Sequence, residues 1–127
     1  MPAQLEHVNY TVSDCHKTAD WLCDLFGWHI RWQGPSLNGG HTMHVGTETH
    51  YVALYTHGRP APSAEDNYAT TGGLNHIAVT VGDIDAMEAR VKAAGFKPTN
   101  HADYEPGRRF YFHDADGIEY EVVSYTN

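Results

Sequence analysis

Two histidines hold equivalent places in a ten-residue pattern that the chain contains twice. Residues 5–14 read LEHVNYTVSD and residues 74–83 read LNHIAVTVGD, so His7 and His76 recur in register 69 positions apart. Period-two alternation predicts a strand in each copy, with the histidine on its less apolar face. A single strand histidine is usually a hydrogen-bonded structural residue. Two strands related by pseudo-twofold symmetry, however, can aim both imidazoles at one point, which is typical of a metal site.

A carboxylate that could join these imidazoles lies in the last predicted strand, at residues 118–125. Glu119 and Glu121 alternate there with Tyr120 and Val122, and the alternation predicts that at least one of the two glutamates is solvated. Glu121, next to two valines, is the one predicted to be held inside. With the two histidines it would form a two-histidine, one-carboxylate set that leaves positions open for water, oxygen or a chelating substrate. Sequence spacing alone does not show that the three converge.

The elements around these residues follow the same order twice: one strand, one helix and three strands. The closing aspartates of the two decapeptides, Asp14 and Asp83, are predicted to cap the helices. Residues 57–73 carry no periodicity and are predicted to link the two modules. The first module (about 5–56) is predicted to have strands at 5–13, 28–32, 41–46 and 50–56 and a helix at 14–26, and the second (about 74–125) strands at 74–82, from 96, at 108–113 and at 118–125 and a helix at 83–94.

Composition bounds the class of protein. A chain of 127 residues with 41% hydrophobic residues fits one globular domain, which we assign to 1–127. The net charge of -8 argues against nucleic-acid binding, and no apolar run approaches the roughly 20 residues of a membrane span. With no secretion signal at the start, we expect a cytoplasmic protein. Cys15 and Cys23 would lie about 12 Å apart on one helix, so we expect two free, buried thiols.

Across essentially its whole length the chain resembles the vicinal oxygen chelate superfamily, which includes glyoxalase I, bleomycin-resistance proteins, fosfomycin-resistance transferases and type I extradiol dioxygenases. The resemblance implies an α+β fold of two βαβββ modules that form a half-open mixed sheet around a metal. It also implies metal ligands on the first and last strands of the modules, which here are His7, His76 and Glu121. Ala53 stands where glyoxalase I has a fourth protein ligand, which argues against that activity.

The segment from Thr99 to Glu121 is similar to the signature of the extradiol enzymes, with a histidine, an aromatic pair, an Asp-x-x-Gly turn and the ligand glutamate. By this resemblance Tyr111, His101 and His50 would handle protons. The alternatives are a cross-strand aromatic residue for Tyr111 and a surface loop histidine for His101. The fosfomycin enzymes share the tyrosine but use a lysine near the position of His101 and an arginine after the glutamate ligand, so that transfer is disfavoured.

The resemblance therefore implies a metal-dependent enzyme with Fe(II) or Mn(II), or else Zn, Ni or Mg. It implies a small-molecule substrate that chelates the metal through vicinal oxygens, and a homodimer. A dioxygenase is the preferred reaction, because three protein ligands leave room for a bidentate substrate and oxygen. A non-oxidative isomerase, lyase or epimerase is the alternative, and a metal-free protein that sequesters a ligand is the third.

Overall fold

The computed structural model of the chain describes residues 1–63, 66–104 and 107–125. It divides into two compact units, at residues 1–62 and 63–127. Both units have the predicted order of one strand, one helix and three strands. The first contains β1 (His7–Thr11), α1 (Cys15–Phe26), β2 (His29–Pro35), a 3₁₀ turn (Leu37–Gly39), β3 (His41–Gly46) and β4 (Tyr51–Thr56), and the second contains β5 (Ile77–Thr80), α2 (Ile84–Ala93), β6 (Thr99–Tyr104), β7 (Gly107–His113) and β8 (Glu119–Ser124).

Each unit contains a four-stranded mixed sheet in which the first strand pairs in parallel with the last. The strand orders are β1-β4-β3-β2 and β5-β8-β7-β6, with all other pairs antiparallel. The predicted α+β class with two βαβββ modules is therefore confirmed. A parallel pair needs a long connection, and the helix that follows the first strand supplies part of it.

The helix of each unit covers one face of its sheet. Asp14 begins α1, because its carboxylate accepts hydrogen bonds from the backbone N–H groups of His16 and Lys17 at 3.0 and 3.3 Å. Gly27 ends it at a φ of 71°, in the left-handed region that favours glycine. Leu22 and Leu25 form part of the buried face of α1. The neighbouring apolar residues Trp21 and Phe26 are only half-buried.

Both cysteines are free thiols in the described structure, as expected, but only one is buried. Cys15 is 1% exposed at the first turn of α1, whereas Cys23 lies on a half-buried flank of the helix. Burial and the nearby carboxylates of Asp20 and Asp24 raise the pKa of the Cys23 thiol. Neither described helix is long and apolar enough to cross a membrane.

The segment between the two modules belongs largely to the second unit. The boundary falls after Pro62, and the Ser63 hydroxyl donates to the Asp116 carbonyl at 3.0 Å. Residues 66–73, which we call the strap, form a turn in which the Asp66 carboxylate accepts from the backbone N–H groups of Tyr68 and Ala69. The strap is thus part of the second unit, which the aperiodic sequence did not reveal.

The predicted turn between β7 and β8 is built around the buried carboxylate of Asp114. Its Oδ1 accepts from the backbone N–H groups of Asp116 and Ile118 at 2.9 and 3.0 Å, and Gly117 closes the turn at a φ of 79°. The Tyr120 hydroxyl donates to Oδ2 at 3.5 Å. Burial raises the pKa of Asp114, so the folded state disfavours its ionised form.

We expect Asp114→Ala to lower the free energy of unfolding by about 2–3 kcal/mol, because two backbone N–H groups lose their acceptor. Asp114→Asn keeps an acceptor oxygen and should cost much less. Since the folded pKa lies above the unfolded value of roughly 3.9, the wild type should gain stability relative to the Asn variant as pH falls from neutrality toward that value. Urea unfolding of the three proteins near pH 7 and pH 4.5 checks this, and a gap between wild type and Asn variant that does not change with pH would contradict it.

Candidate functional site

Each sheet has a face that its helix leaves uncovered, which we call the open face, and in the second unit this face carries Glu121 and Tyr111. In the second unit β8 lies between β5 and β7, and its register places Glu121 opposite Ala78 and Tyr111. Glu121 is 6% exposed, as the flanking valines predicted. A carboxylate so deeply buried requires charged or hydrogen-bonding partners.

Glu121 has those partners on both of its oxygens. His76, immediately before β5, places Nε2 3.0 Å from Oε1, and Arg109 of β7 places Nη1 2.9 Å from Oε2. The Nδ1 of His76 lies 2.6 Å from the amide oxygen of Asn75. These two contacts fix the orientation of the ring, with Nδ1 toward Asn75 and Nε2 toward the carboxylate.

This pair fits a divalent metal in donor type and spacing. An imidazole nitrogen and a carboxylate oxygen are the donors such cations take, and neighbouring ligands at about 2.1 Å on an octahedral ion are separated by about 3 Å. Metal-binding histidines usually form a hydrogen bond through the ring nitrogen that does not bind the metal, and Asn75 provides such a partner for Nδ1 of His76. Among the residues that the structure describes, no three His, Cys, Asp or Glu donors are grouped for a metal ion, so the pair does not by itself make up a metal site.

Glu119, two residues before Glu121, is also buried, at 7% exposed. The expectation that at least one of the two glutamates is solvated is therefore wrong. The reason is the strap, since the Tyr68 hydroxyl donates a hydrogen bond to Oε1 of Glu119 and covers it. His113 Nε2 lies 3.6 Å from the other oxygen, and His76 Nδ1 is 4.0 Å from Oε1.

In the first unit, His7 is oriented in the same way as His76. Its Nδ1 lies 2.8 Å from a carboxylate oxygen of Glu6, the preceding residue, which again leaves Nε2 as the outward nitrogen. The hydroxyl of Tyr51 donates to the same oxygen at 2.9 Å, and its ring stacks on His7 with centroids 5.0 Å apart. Bonds to His7 and Tyr51 lower the pKa of Glu6, so this orienting group stays ionised.

The two open faces correspond position by position, and the correspondence brings out a residue that sequence reasoning missed. Ala53 lies opposite Asn9 and His44 on its ladder, as Glu121 lies opposite Ala78 and Tyr111. Ala53 thus occupies the place of the carboxylate, and His44 that of Tyr111. The period-two position of His44 within the predicted strand 41–46 was the available signal.

His44 is half-buried within a cluster of rings. The ring centroids of Tyr51, Trp32 and His7 lie 4.7, 5.1 and 6.2 Å from its own. Burial lowers the pKa of His44, and the nearby His7 and Arg31 lower it further. A neutral imidazole at neutral pH is able to accept a proton.

The three residues expected to handle protons lie in different surroundings. Tyr111 lies on the open face opposite Glu121, with its ring edge-on to His76 at 5.8 Å. Burial and the charge of Glu121 raise the pKa of Tyr111, which keeps its hydroxyl protonated. His101 instead bonds Glu88 of α2 at 3.0 Å and stacks on buried Phe110, so it lies on the helix-covered face. His50 is exposed in the turn before β4, with Nδ1 2.9 Å from the Thr49 hydroxyl.

Residues 4–122 match the Glyoxalase/Bleomycin resistance protein/Dioxygenase superfamily. The chain belongs to this superfamily. Its fold is shared by a glyoxylase/bleomycin resistance protein/dioxygenase domain from Frankia sp. EAN1pec, with a TM-score of 0.82 and 23% identity over 98% of this chain and 93% of that one. The protein YaeR of Escherichia coli (strain K12) is 26% identical in an alignment of 132 positions that covers 94% of each chain.

A further similar structure is that of the fosfomycin resistance protein FosX from Listeria monocytogenes. A variant of FosX complexed with Mn(II) and 1S,2S-dihydroxypropylphosphonic acid gives a TM-score of 0.76 and 21% identity, covering 99% of this chain and 95% of that one. At this identity the likeness shows the shared fold alone.

We expect Tyr68→Phe to lower the free energy of unfolding by about 1–3 kcal/mol, because the buried Glu119 loses its hydroxyl donor. The contact raises the pKa of Tyr68 to about 12, above the value of roughly 10 in an unfolded chain. The contribution of this hydrogen bond to the free energy of unfolding is therefore complete below about pH 10 and is lost as pH rises toward 12.

Urea unfolding near pH 8 and ultraviolet titration of the tyrosines measure the two effects. Tyr125→Phe is the matched control, since Tyr125 is 54% exposed at the end of the described chain. Equal losses of stability in the two variants would contradict the role of the Tyr68 hydroxyl.

Proposed function

We propose that the chain is a metal-dependent enzyme in which His7, His76 and Glu121 bind one divalent cation, Fe(II) or Mn(II). The observation that carries the proposal is the His76–Glu121 pair, with its 3.0 Å spacing and its buried carboxylate. The matching orientation of His7 supports the same role in the first unit, because each histidine has Nδ1 engaged by the preceding side chain. The structure of FosX with Mn(II) and a vicinal diol is in keeping with a substrate that binds through two adjacent oxygens.

We propose an oxygen-dependent cleavage of such a substrate as the reaction. A cation held by two histidines and one carboxylate supplies Lewis-acid chemistry and, as Fe(II), oxygen chemistry. Ala53 supports this choice, since it offers no fourth donor at the position equivalent to Glu121. More of the coordination sphere is then free for substrate and oxygen together.

Two open-face residues of this chain are suited to move protons during the reaction. The Tyr111 hydroxyl, with its raised pKa, is protonated and can donate to a substrate oxygen. His44, with its lowered pKa, is neutral and can accept a substrate proton. We assign these roles to Tyr111 and His44 in preference to His101, which bonds α2, and His50, which is exposed.

A non-oxidative isomerase, lyase or epimerase is the second candidate, and His44 is the observation that favours it. Such a reaction needs a neutral base beside the chelated substrate but no place for oxygen. We further propose that the protein acts as a homodimer. Closed twofold symmetry, the commonest arrangement of soluble oligomers, supports this.

We expect His7→Ala, His76→Ala and Glu121→Ala each to lower the affinity for Mn(II) by at least about a hundredfold, because each removes one of three ligands. Affinity should also fall in acid, since protons compete for the same nitrogen and oxygen atoms. Calorimetric titration of metal-free protein measures both effects. His29→Ala is the control, because His29 is exposed and its Nε2 lies 3.1 Å from the exposed carboxylate of Glu48. Wild-type affinity in the His7 variant would refute the shared site.

We expect the Fe(II)-loaded protein to consume oxygen when it is offered catechols, with one O₂ taken up for each substrate cleaved. An oxygen electrode coupled to product analysis measures this ratio. Turnover of a vicinal diol or hydroxy acid under nitrogen, without oxygen uptake in air, would establish the non-oxidative candidate instead. Tight binding of ligands by the metal-free protein, with no turnover in either atmosphere, would identify a sequestering protein.

A further inference from the structure

We infer that Arg109 is a positioning residue that restricts Glu121 to one donor oxygen. The inference rests on the proposed metal site and concerns how many positions that site leaves open. A carboxylate that turns both oxygens to a metal occupies two positions, whereas one that offers a single oxygen occupies one. The side chain that holds the second oxygen therefore decides how much of the cation is available to substrate.

The geometry of Glu121 separates its two oxygens by role. Oε1 lies 3.0 Å from His76 Nε2, on the side where the other proposed ligand of this unit is found. Oε2 lies 2.9 Å from Arg109 Nη1 and accepts a charge-assisted hydrogen bond from it. The side chains of Glu121 and Arg109 are only 8% and 12% exposed, so water does not compete strongly for that bond.

Arg109 is itself held in place by its surroundings. Its guanidinium carbon lies 4.8 Å from the ring centroid of Tyr104, and Nη2 is 3.5 Å from the carbonyl oxygen of Gly107. Its Nε is buried and has no hydrogen-bond partner among the described residues. A buried donor without a partner costs stability. Arg109 thus keeps its contact with Glu121 even though its Nε is left without a hydrogen bond among the described residues.

The first unit provides an internal comparison. On its open face the residue equivalent to Glu121 is Ala53, and the residue equivalent to Arg109, which lies two positions before Tyr111, is Thr42. The carboxylate and the guanidinium are thus both replaced on the face that has no ligand on its last strand. The arginine is therefore present in the unit that has the carboxylate and absent from the unit that lacks it, although both units have the same fold.

The test uses Mn(II) alone and counts the water molecules bound to it, by the relaxation of water protons or by electron spin resonance in ¹⁷O-water. Arg109→Met frees Oε2, so we expect one fewer bound water than in the wild type. We also expect Mn(II) to bind about tenfold more tightly, because one unit of positive charge leaves its vicinity. A purely structural arginine would give an unchanged water count and weaker binding, which would overturn the inference.

Arg109→Lys separates geometry from charge and serves if the Met variant fails to fold. It keeps the positive charge, but its side chain is one bond shorter, so its ammonium stops short of the place where Nη1 holds Oε2 and the water count should again fall by one. A wild-type count in the Lys variant would overturn the inference. Arg108→Met is the matched control, since Arg108 is exposed and pairs with Asp85 at 2.8 Å. If the wild-type protein binds no Mn(II), the proposed function itself fails. If the wild type binds Mn(II) and both variants keep its water count, only the inference about Arg109 fails.

Discussion

The parallel pairing of the first and last strands determines what each unit presents on its open face. β5 and β8 are nearly 40 residues apart in sequence, yet their ladder places Ala78 beside Glu121 and so brings the preceding His76 to the carboxylate. The register is fixed from the other face, where Tyr120 and Val122 are fully buried. A slip of one residue would turn Glu121 toward the helix and Val122 outward, so core packing and site assembly depend on the same alignment.

The sequence was sufficient for the parts of the fold that follow from repetition and periodicity. The repeated decapeptide and the alternation after it predicted both modules, their helices and the residues that begin them. It was also sufficient to identify Glu121 as a buried carboxylate, because the valines beside it belong to a strand buried on both faces. These inferences succeed because they depend on neighbours along the chain.

The remaining features depend on residues that are remote in sequence. Glu119 is buried because Tyr68, from an aperiodic segment, bonds to it, and no local pattern indicates such a partner. His101 faces α2 because β6 has an irregular register between Thr99 and Ala102, where Asn100 adopts a φ of 53°. Strict alternation fails at such a bulge, so the side of the sheet could not be deduced from spacing. Period-two spacing placed His44 on one face of its strand, but only the cross-strand register aligned it with Tyr111.

Because side chains alternate along the strands, neighbouring residues are subject to two different physical constraints. On the helix-covered faces the equivalent positions remain apolar and buried in both units, as Val45 and Val52 correspond to Phe112 and Tyr120. On the open faces the intervening positions have diverged to residues as unlike as alanine and glutamate. A chain built from two similar modules can therefore keep an apolar core at every second residue of a strand while the residues between them differ in chemistry. In such an architecture one module carries a buried carboxylate where the other carries alanine, so two faces of different chemistry stand on two cores of the same plan.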